Sequence, residues 1–332
     1  MPLLEVTSLR KLFPIARSAS VFRPSTEYIH AVDSVSFSLE RGETLGIVGE
    51  SGCGKSTLGR CILRLIQPTS GTVRFEDSDL AALSREEMRK RRRSMQMVFQ
   101  DPYASLSPRM KISTFLREPL ALHKIVPHKE IPDEIRRLLQ QVGLPASAEN
   151  RYPHEFSGGQ RQRIGIARAI AVRPKLIVAD EPVSALDVSI RAQILNLFRR
   201  IQRETETSLI FIAHDLGAVR QISNRVAVMY LGKIVELSPS EELFTNPRHP
   251  YTRSLLAAIP SIKTPSVRPE HVQSEIPSPI HLPTGCRFHT RCPYVQPICR
   301  ETEPSLLPVS DASEAHASAC HFAGELPEFV IH

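Results

Sequence analysis

The chain has 332 residues, 41% of them hydrophobic and 23% charged, with a formal net charge of +7. That length accommodates one large α/β domain and a smaller appendage, and the composition is that of a globular protein. No apolar run approaches the roughly 20 residues of a membrane span, and Met1-Pro-Leu-Leu-Glu5 has no basic segment leading into an apolar one, so neither a membrane-spanning nor a secreted chain is expected.

The positive charge does not mark a nucleic-acid binder. Its one dense run, Arg89-Lys-Arg-Arg-Arg93, reads first as a solvated face and second as a contact for anionic lipid headgroups, and no RNA- or DNA-binding motif accompanies it.

In chain order, Val32 to Phe37 alternates as a strand. Glu43 to Val48 is a strand entering a glycine-rich turn, and Lys55 to Leu65 has helical spacing. Met95 to Phe99 is a short apolar strand. Residues 106–171 are mostly helical, without a convincing strand. Leu176 to Ala179 and Leu209 to Ala213 are short, continuous apolar runs. Between them Ile194, Leu197, Phe198 and Ile201 repeat at helical spacing. Strand, helix, strand in this rhythm predicts a parallel sheet covered by helices. Arg225 to Tyr230 and Lys233 to Leu237 form a hairpin across Gly232. Eleven of the 27 prolines lie in residues 260–332, which predicts a loop-rich appendage in need of a staple.

Gly49-Glu50-Ser51-Gly52-Cys53-Gly54-Lys55-Ser56-Thr57 matches G-x-x-x-x-G-K-[ST] after a strand and at the opening of a helix. The glycines let backbone N–H groups face one anion, and the helix N-terminus adds partial positive charge. Lys55 is placed to reach the β- and γ-phosphates, and the Ser56 hydroxyl to ligate Mg²⁺. Leu176-Ile-Val-Ala-Asp180-Glu181 is an apolar strand ending in two carboxylates. Asp180 is the candidate Mg²⁺ holder and Glu181 the candidate base for the attacking water.

Phe156-Ser157-Gly158-Gly159-Gln160 resembles the signature motif of ABC ATPases, with Phe at its first position. The remaining family elements follow in order: Gln100 resembles the Q-loop glutamine, Ser184-Ala-Leu-Asp187 the D-loop, and His214 the switch histidine. The resemblance covers residues 31 to about 230. It implies a P-loop ABC nucleotide-binding domain of α/β class: a RecA-like core with a parallel sheet, an antiparallel β subdomain, and a helical signature subdomain at about 106–171. In that family two domains sandwich two ATPs. Ser157, Gly158, Gly159 and Gln160 would then serve the nucleotide of the partner, Gln100 would touch Mg²⁺ and water, and His214 the γ-phosphate. An aromatic upstream of the first core strand usually stacks on adenine, which puts Tyr28 first and His30 second.

Arg248-His-Pro-Tyr-Thr-Arg-Ser-Leu-Leu256 and Gly285-Cys-Arg-Phe-His-Thr-Arg-Cys-Pro293 resemble the extension of ATPases from oligopeptide, dipeptide and nickel importers, as does the Q-loop segment from Gln100 to Arg109. This implies an ABC ATPase domain at 1–259 and an importer-type extension at 260–332. It also implies work at the cytoplasmic face of the inner membrane as a peripheral subunit. The partners would be a paralogous ATPase subunit, two transmembrane permeases and, through them, an extracytoplasmic substrate-binding protein.

Cys286, Cys292, Cys299 and Cys320 are spaced Cys-x5-Cys-x6-Cys-x20-Cys, unlike the close pairs of zinc ribbons and ferredoxins. Four thiolates suit a [4Fe–4S] cluster or tetrahedral Zn²⁺, with free thiols or disulfides as the other reading. Resemblance to dipeptide-importer ATPases favours the cluster. Two other functions remain in view: a non-transport ABC ATPase, against which the single cassette and the absence of a coiled coil count, and a non-catalytic module, against which Lys55, Gln100, Glu181 and His214 count. An importer of nickel or another small solute is the nearer alternative.

Overall fold

The computed structural model describes residues 1–16, 26–101, 106–258, 277–310, 312–313 and 315–329. The expected domain boundary at 259/260 and part of the expected Q-loop, residues 102–105, lie outside them.

The strands are β1 (Leu4–Ala16), β2 (Thr26–Leu39), β3 (Thr44–Val48), β4 (Ser70–Phe75), β5 (Ser78–Asp79), β6 (Met95–Val98), β7 (Leu176–Asp180), β8 (Ser208–Ile212), β9 (Arg225–Tyr230), β10 (Lys233–Pro239), β11 (Leu307–Pro308) and β12 (Ala317–Ser318). The helices are α1 (Lys55–Ile62), α2 (Arg85–Arg91), α3 (Ile112–Leu122), α4 (Ile131–Gln141), α5 (Gly158–Ile170), α6 (Val188–Thr205), α7 (Leu216–Ile222), α8 (Ser240–Thr245), α9 (Pro250–Ala257) and α10 (Pro297–Glu301).

Two sheets result. The larger runs β11-β12-β10-β9-β3-β8-β7-β6, parallel from β6 through β9 and antiparallel where β10 turns back on β9. Every residue of β3, β7 and β8 is buried, which explains why β7 and β8 read as continuous apolar runs rather than alternating ones. Alternate residues feed two cores. Ile47, Val178, Ile210 and Ile212 join one with α1 and the first strands, and Ile177, Ala179, Leu209 and Phe211 join the other with α3 to α6.

The second sheet, β2-β1-β4-β5, is antiparallel and shares its core with α1 and one face of the main sheet. β1 has no counterpart in the sequence reading. Its pairing with β2 shifts register between Val6 and Leu9, where Ser8 takes φ 47°, and the bulge breaks the alternation that would have marked a long strand.

No strand interrupts the described part of residues 106–171. There α3, α4 and α5 pack Ile112, Phe115, Leu116, Ile135, Leu138, Leu139 and Ile164 into one core. Backbone and side-chain bonds tie the described chain after residue 276 to this body. β12 pairs with β10, Ala319 N–H donates to the Val235 carbonyl at 2.8 Å, and the buried Arg287 bonds both Asp33 and the Leu231 carbonyl.

Candidate active site

Gly54 caps the N-terminus of α1 at φ 104° with no side-chain cap, and a Cβ there would fall 1.8 Å from the Ala31 carbonyl oxygen. Only glycine fits, so the first turn of α1 keeps its N–H groups open toward one cleft. Phe13, Ile29, Ala31, Ser51, Gly52, Gly54, Lys55, Ser56, Thr57, Gln100, Glu181 and His214 line that cleft.

Lys55 is buried and folds back on its own loop, donating to the carbonyls of Gly49 at 2.8 Å and Glu50 at 2.9 Å. Its ammonium also lies 3.7 Å from the Cys53 sulfur. Burial raises the Cys53 thiol above its ordinary range even against the nearby lysine charge, which makes it a neutral packing group. Ser56 Oγ donates to Asp180 Oδ1 at 2.7 Å. Burial raises the Asp180 carboxyl above the ordinary range, with the Glu181 charge adding to the rise and Ser56 and Arg60 opposing it.

Glu181 follows Asp180 with φ 46°, a left-handed conformation that costs a non-glycine residue about 1–3 kcal/mol. The kink aims the two carboxylates apart. Asp180 stays at the buried strand end, while Glu181 Oε2 accepts from Gln100 Nε2 at 3.0 Å and lies 3.2 Å from His214 Nδ1. Two residues that follow other strands, Gln100 after β6 and His214 after β8, thus converge on one oxygen of Glu181. Ser184 Oγ donates back to the Glu181 carbonyl at 3.0 Å, and Asp187 stands at the N-cap of α6 without a side-chain cap bond.

Ser157 caps α5 in a reciprocal box with Gln160. Gly158 and Gly159 open the helix, and a Cβ on Gly159 would sit 2.4 Å from Ile190 Cγ2. None of the four residues lines the cleft of Lys55.

Tyr28 and His30 do not line the cleft, whereas Ile29, Ala31 and Phe13 do. Strand alternation puts Tyr28 and Ile29 on opposite faces of β2, and the register pairs Ile29 with Phe13 of β1. The aromatic available on the cleft face is therefore Phe13, which the sequence reading missed with the rest of β1.

On the metal expectation, the structure shows only that the four cysteines share a cavity. Cys286, Cys292, Cys299 and Cys320 are free and do line one cavity, with Phe288, Tyr294 and Phe322. That cavity measures about 20 Å³, room for a single water. Among the described residues no group of three or more His, Cys, Asp or Glu side chains is arranged to hold a metal ion. Burial pushes the Cys292 thiol up to about 12 and the Cys320 thiol to about 11.

A family model described as ABC transporter matches residues 32–184, and one described as the C-terminal region of oligopeptide/dipeptide transporters matches 235–299. The oligopeptide transport ATP-binding protein AppF of Bacillus subtilis is 51% identical over 323 residues, covering 96% of this chain and 97% of AppF. This chain belongs to the ABC transporter ATP-binding proteins. A probable peptide ABC transporter ATP-binding protein of Sinorhizobium fredii, y4tS, is also 51% identical, over 96% of this chain and 89% of its own length. Among solved structures, the dimeric post-hydrolysis state of the ATP-binding cassette MJ0796 bound to ADP and Pi is 27% identical with a TM-score of 0.64, covering 71% of this chain and 98% of that one. The ABC fold and ATP binding are therefore properties of this chain, and among its described residues no helix is long and apolar enough to cross a membrane.

Proposed function

We propose that this chain is the ATP-hydrolysing subunit that energises an ABC importer of oligopeptides or dipeptides. The observation that carries the catalytic part is the meeting of Gln100 and His214 on the Glu181 carboxylate, a few residues from the Ser56–Asp180 bond. Peptide as the substrate class is supported by the match of the C-terminal segment and by the names of the relatives.

In this reading Gly49 to Thr57 cradle the triphosphate, and Lys55 leaves its two carbonyl partners for phosphate oxygens. Glu181 takes the proton of the attacking water as general base. Gln100 orients that water and His214 holds the carboxylate and the γ-phosphate in line. The oxygen donors Ser56, Asp180 and Gln100 suit a hard cation, so they would hold Mg²⁺, which supplies charge neutralisation at the β- and γ-phosphates. Phe13 would lie against the adenine. Ser157, Gly158, Gly159 and Gln160 lie off their own cleft and would serve the nucleotide of a second ATPase subunit, with Ser184 and Asp187 between the two sites.

The assembly proposed is a paralogous ATPase, two permeases and an extracytoplasmic binding protein, with this chain peripheral at the cytoplasmic face of the inner membrane. The division at 259/260 is proposed as the end of the ATPase domain. An iron–sulfur or zinc centre at the four cysteines is supported by their shared cavity alone, and no step runs through it. The test is ATP turnover by the full chain with its permeases in vesicles: substrate-stimulated hydrolysis lost in Lys55→Ala supports the reading, and turnover retained in Lys55→Ala sinks it.

A further inference from the structure

Glu50 is held on three sides. Its N–H donates to the Tyr251 hydroxyl at 2.8 Å, its carbonyl accepts from Lys55 Nζ at 2.9 Å, and its carboxylate accepts two bonds from Arg291, both at 2.8 Å. The two latter partners come from opposite ends of the problem: Lys55 is the phosphate-facing lysine, and Arg291 lies 241 residues beyond Glu50, in the cysteine-bearing segment.

Arg291 is itself fixed. Its side chain is only 7% exposed, and its guanidinium lies 5.8 Å from the Tyr230 ring centroid and 5.7 Å from that of Phe288. Those rings pack with Tyr251 in one cluster, tilted or edge-on to one another, with centroids 4.6 to 5.4 Å apart. A planar fork clamped between two rings and bidentate on a carboxylate fixes direction as well as distance. Both groups that hold Glu50 from outside the loop thus belong to one rigid aromatic block.

We infer that Arg291 is a positioning residue for ATP binding, acting through Glu50 to hold the phosphate loop in its open, receptive shape. The inference rests on the proposed role of the loop and Lys55. When Lys55 leaves the Gly49 and Glu50 carbonyls, the loop loses two of its own bonds. The Arg291 and Tyr251 contacts then keep Glu50, and with it the curl of the backbone, in place. Gln100, Glu181 and His214 stand on other elements, so Arg291 sets affinity rather than the chemical step.

The experiment is titration of the full chain with ATP and Mg²⁺, read by displacement of a fluorescent ATP analogue. We expect Arg291→Ala and Glu50→Gln each to weaken ATP binding about tenfold, the size associated with losing a charged hydrogen bond. Arg291→Lys should fall between them and the wild type, because it keeps charge without the fork. The double variant should be no worse than either single one. Glu50→Gln keeps shape and leaves Arg291 packed, so it reports even if Arg291→Ala folds poorly. Unchanged affinity in Glu50→Gln, or additive losses in the double variant, overturns the inference. So does a drop in unfolding midpoint with affinity unchanged per folded molecule. Lys55→Ala is the separate control: if it binds ATP as the wild type does, the phosphate-loop reading fails instead.

Discussion

Ser56 Oγ donates to Asp180 Oδ1 at 2.7 Å, joining the first turn of α1 to the end of β7 across 124 residues of sequence. The bond joins a hydroxyl that lines the cleft to a buried carboxylate behind it, a pair of oxygens suited to a hard cation.

Asp180→Asn keeps an acceptor for Ser56 but removes the charge. The Mg²⁺ concentration for half-maximal ATPase should rise at least about tenfold, since a carboxylate ligand is exchanged for an amide. Thermal stability without nucleotide should hold or rise, because a carboxylate that burial disfavours has been neutralised. ATPase measured against Mg²⁺ concentration, beside a melting curve, checks both.

Glu181→Gln preserves the partners of the carboxylate but not its basicity. Turnover should fall about 10²–10⁴-fold, the range of a general base, while ATP affinity stays. The variant should accumulate as an ATP-bound complex of two ATPase subunits on a sizing column. Wild-type turnover in this variant would remove Glu181 from the role of base.

His316 is fully buried, with Nε2 2.7 Å from Glu236 and Nδ1 3.1 Å from Glu242. The first contact is a hydrogen bond, whereas Nδ1 lies near its carboxylate without hydrogen-bond alignment. Burial opposes the charge, but Glu236 and Glu242 outweigh it and raise the histidine above its ordinary value. The folded chain therefore binds this proton more tightly than the unfolded one. The stabilisation is whole below the ordinary histidine range and is lost as pH rises through the raised value. His316→Gln should lower the melting temperature most at pH 6 and least at pH 9. An equal loss at both pH values would contradict a charged His316.

The legible parts of the fold were those with one clear period. β7 and β8 read as buried runs because both their faces are covered, and α6 read from Ile194, Leu197, Phe198 and Ile201. In the site, motif spacing singles out Lys55, Ser56, Asp180, Glu181, Gln100 and His214, and of these Gln100 and His214 meet at the Glu181 carboxylate. The bulge at Ser8 hid β1 and with it Phe13. Tyr28 rests on residue type, and its neighbour Ile29 is the one that lines the cleft. The four cysteines were read by count, but the apolar rings and the size of their cavity depend on packing that no spacing reveals. Arg291 stood inside a quoted motif, yet its partner Glu50 lies at the other end of the chain.

Cys292 lines the apolar cavity beside Phe288. Cys292→Ser replaces a larger, less polar sulfur in this packed lining with a hydroxyl, so residues 277–329 should become more protease-sensitive. Iron, sulfide and zinc assays on both proteins, purified without air, run alongside. Unchanged protease resistance and unchanged metal content would remove Cys292 from any role in holding this segment.

The central claim is that hydrolysis in this cleft drives peptide import. Its most direct test is uptake of labelled di- and oligopeptides by cells carrying Glu181→Gln at the native locus. The account predicts that uptake collapses and that the wild-type chain restores it. Undiminished uptake would contradict the peptide assignment and make nickel the next substrate to test.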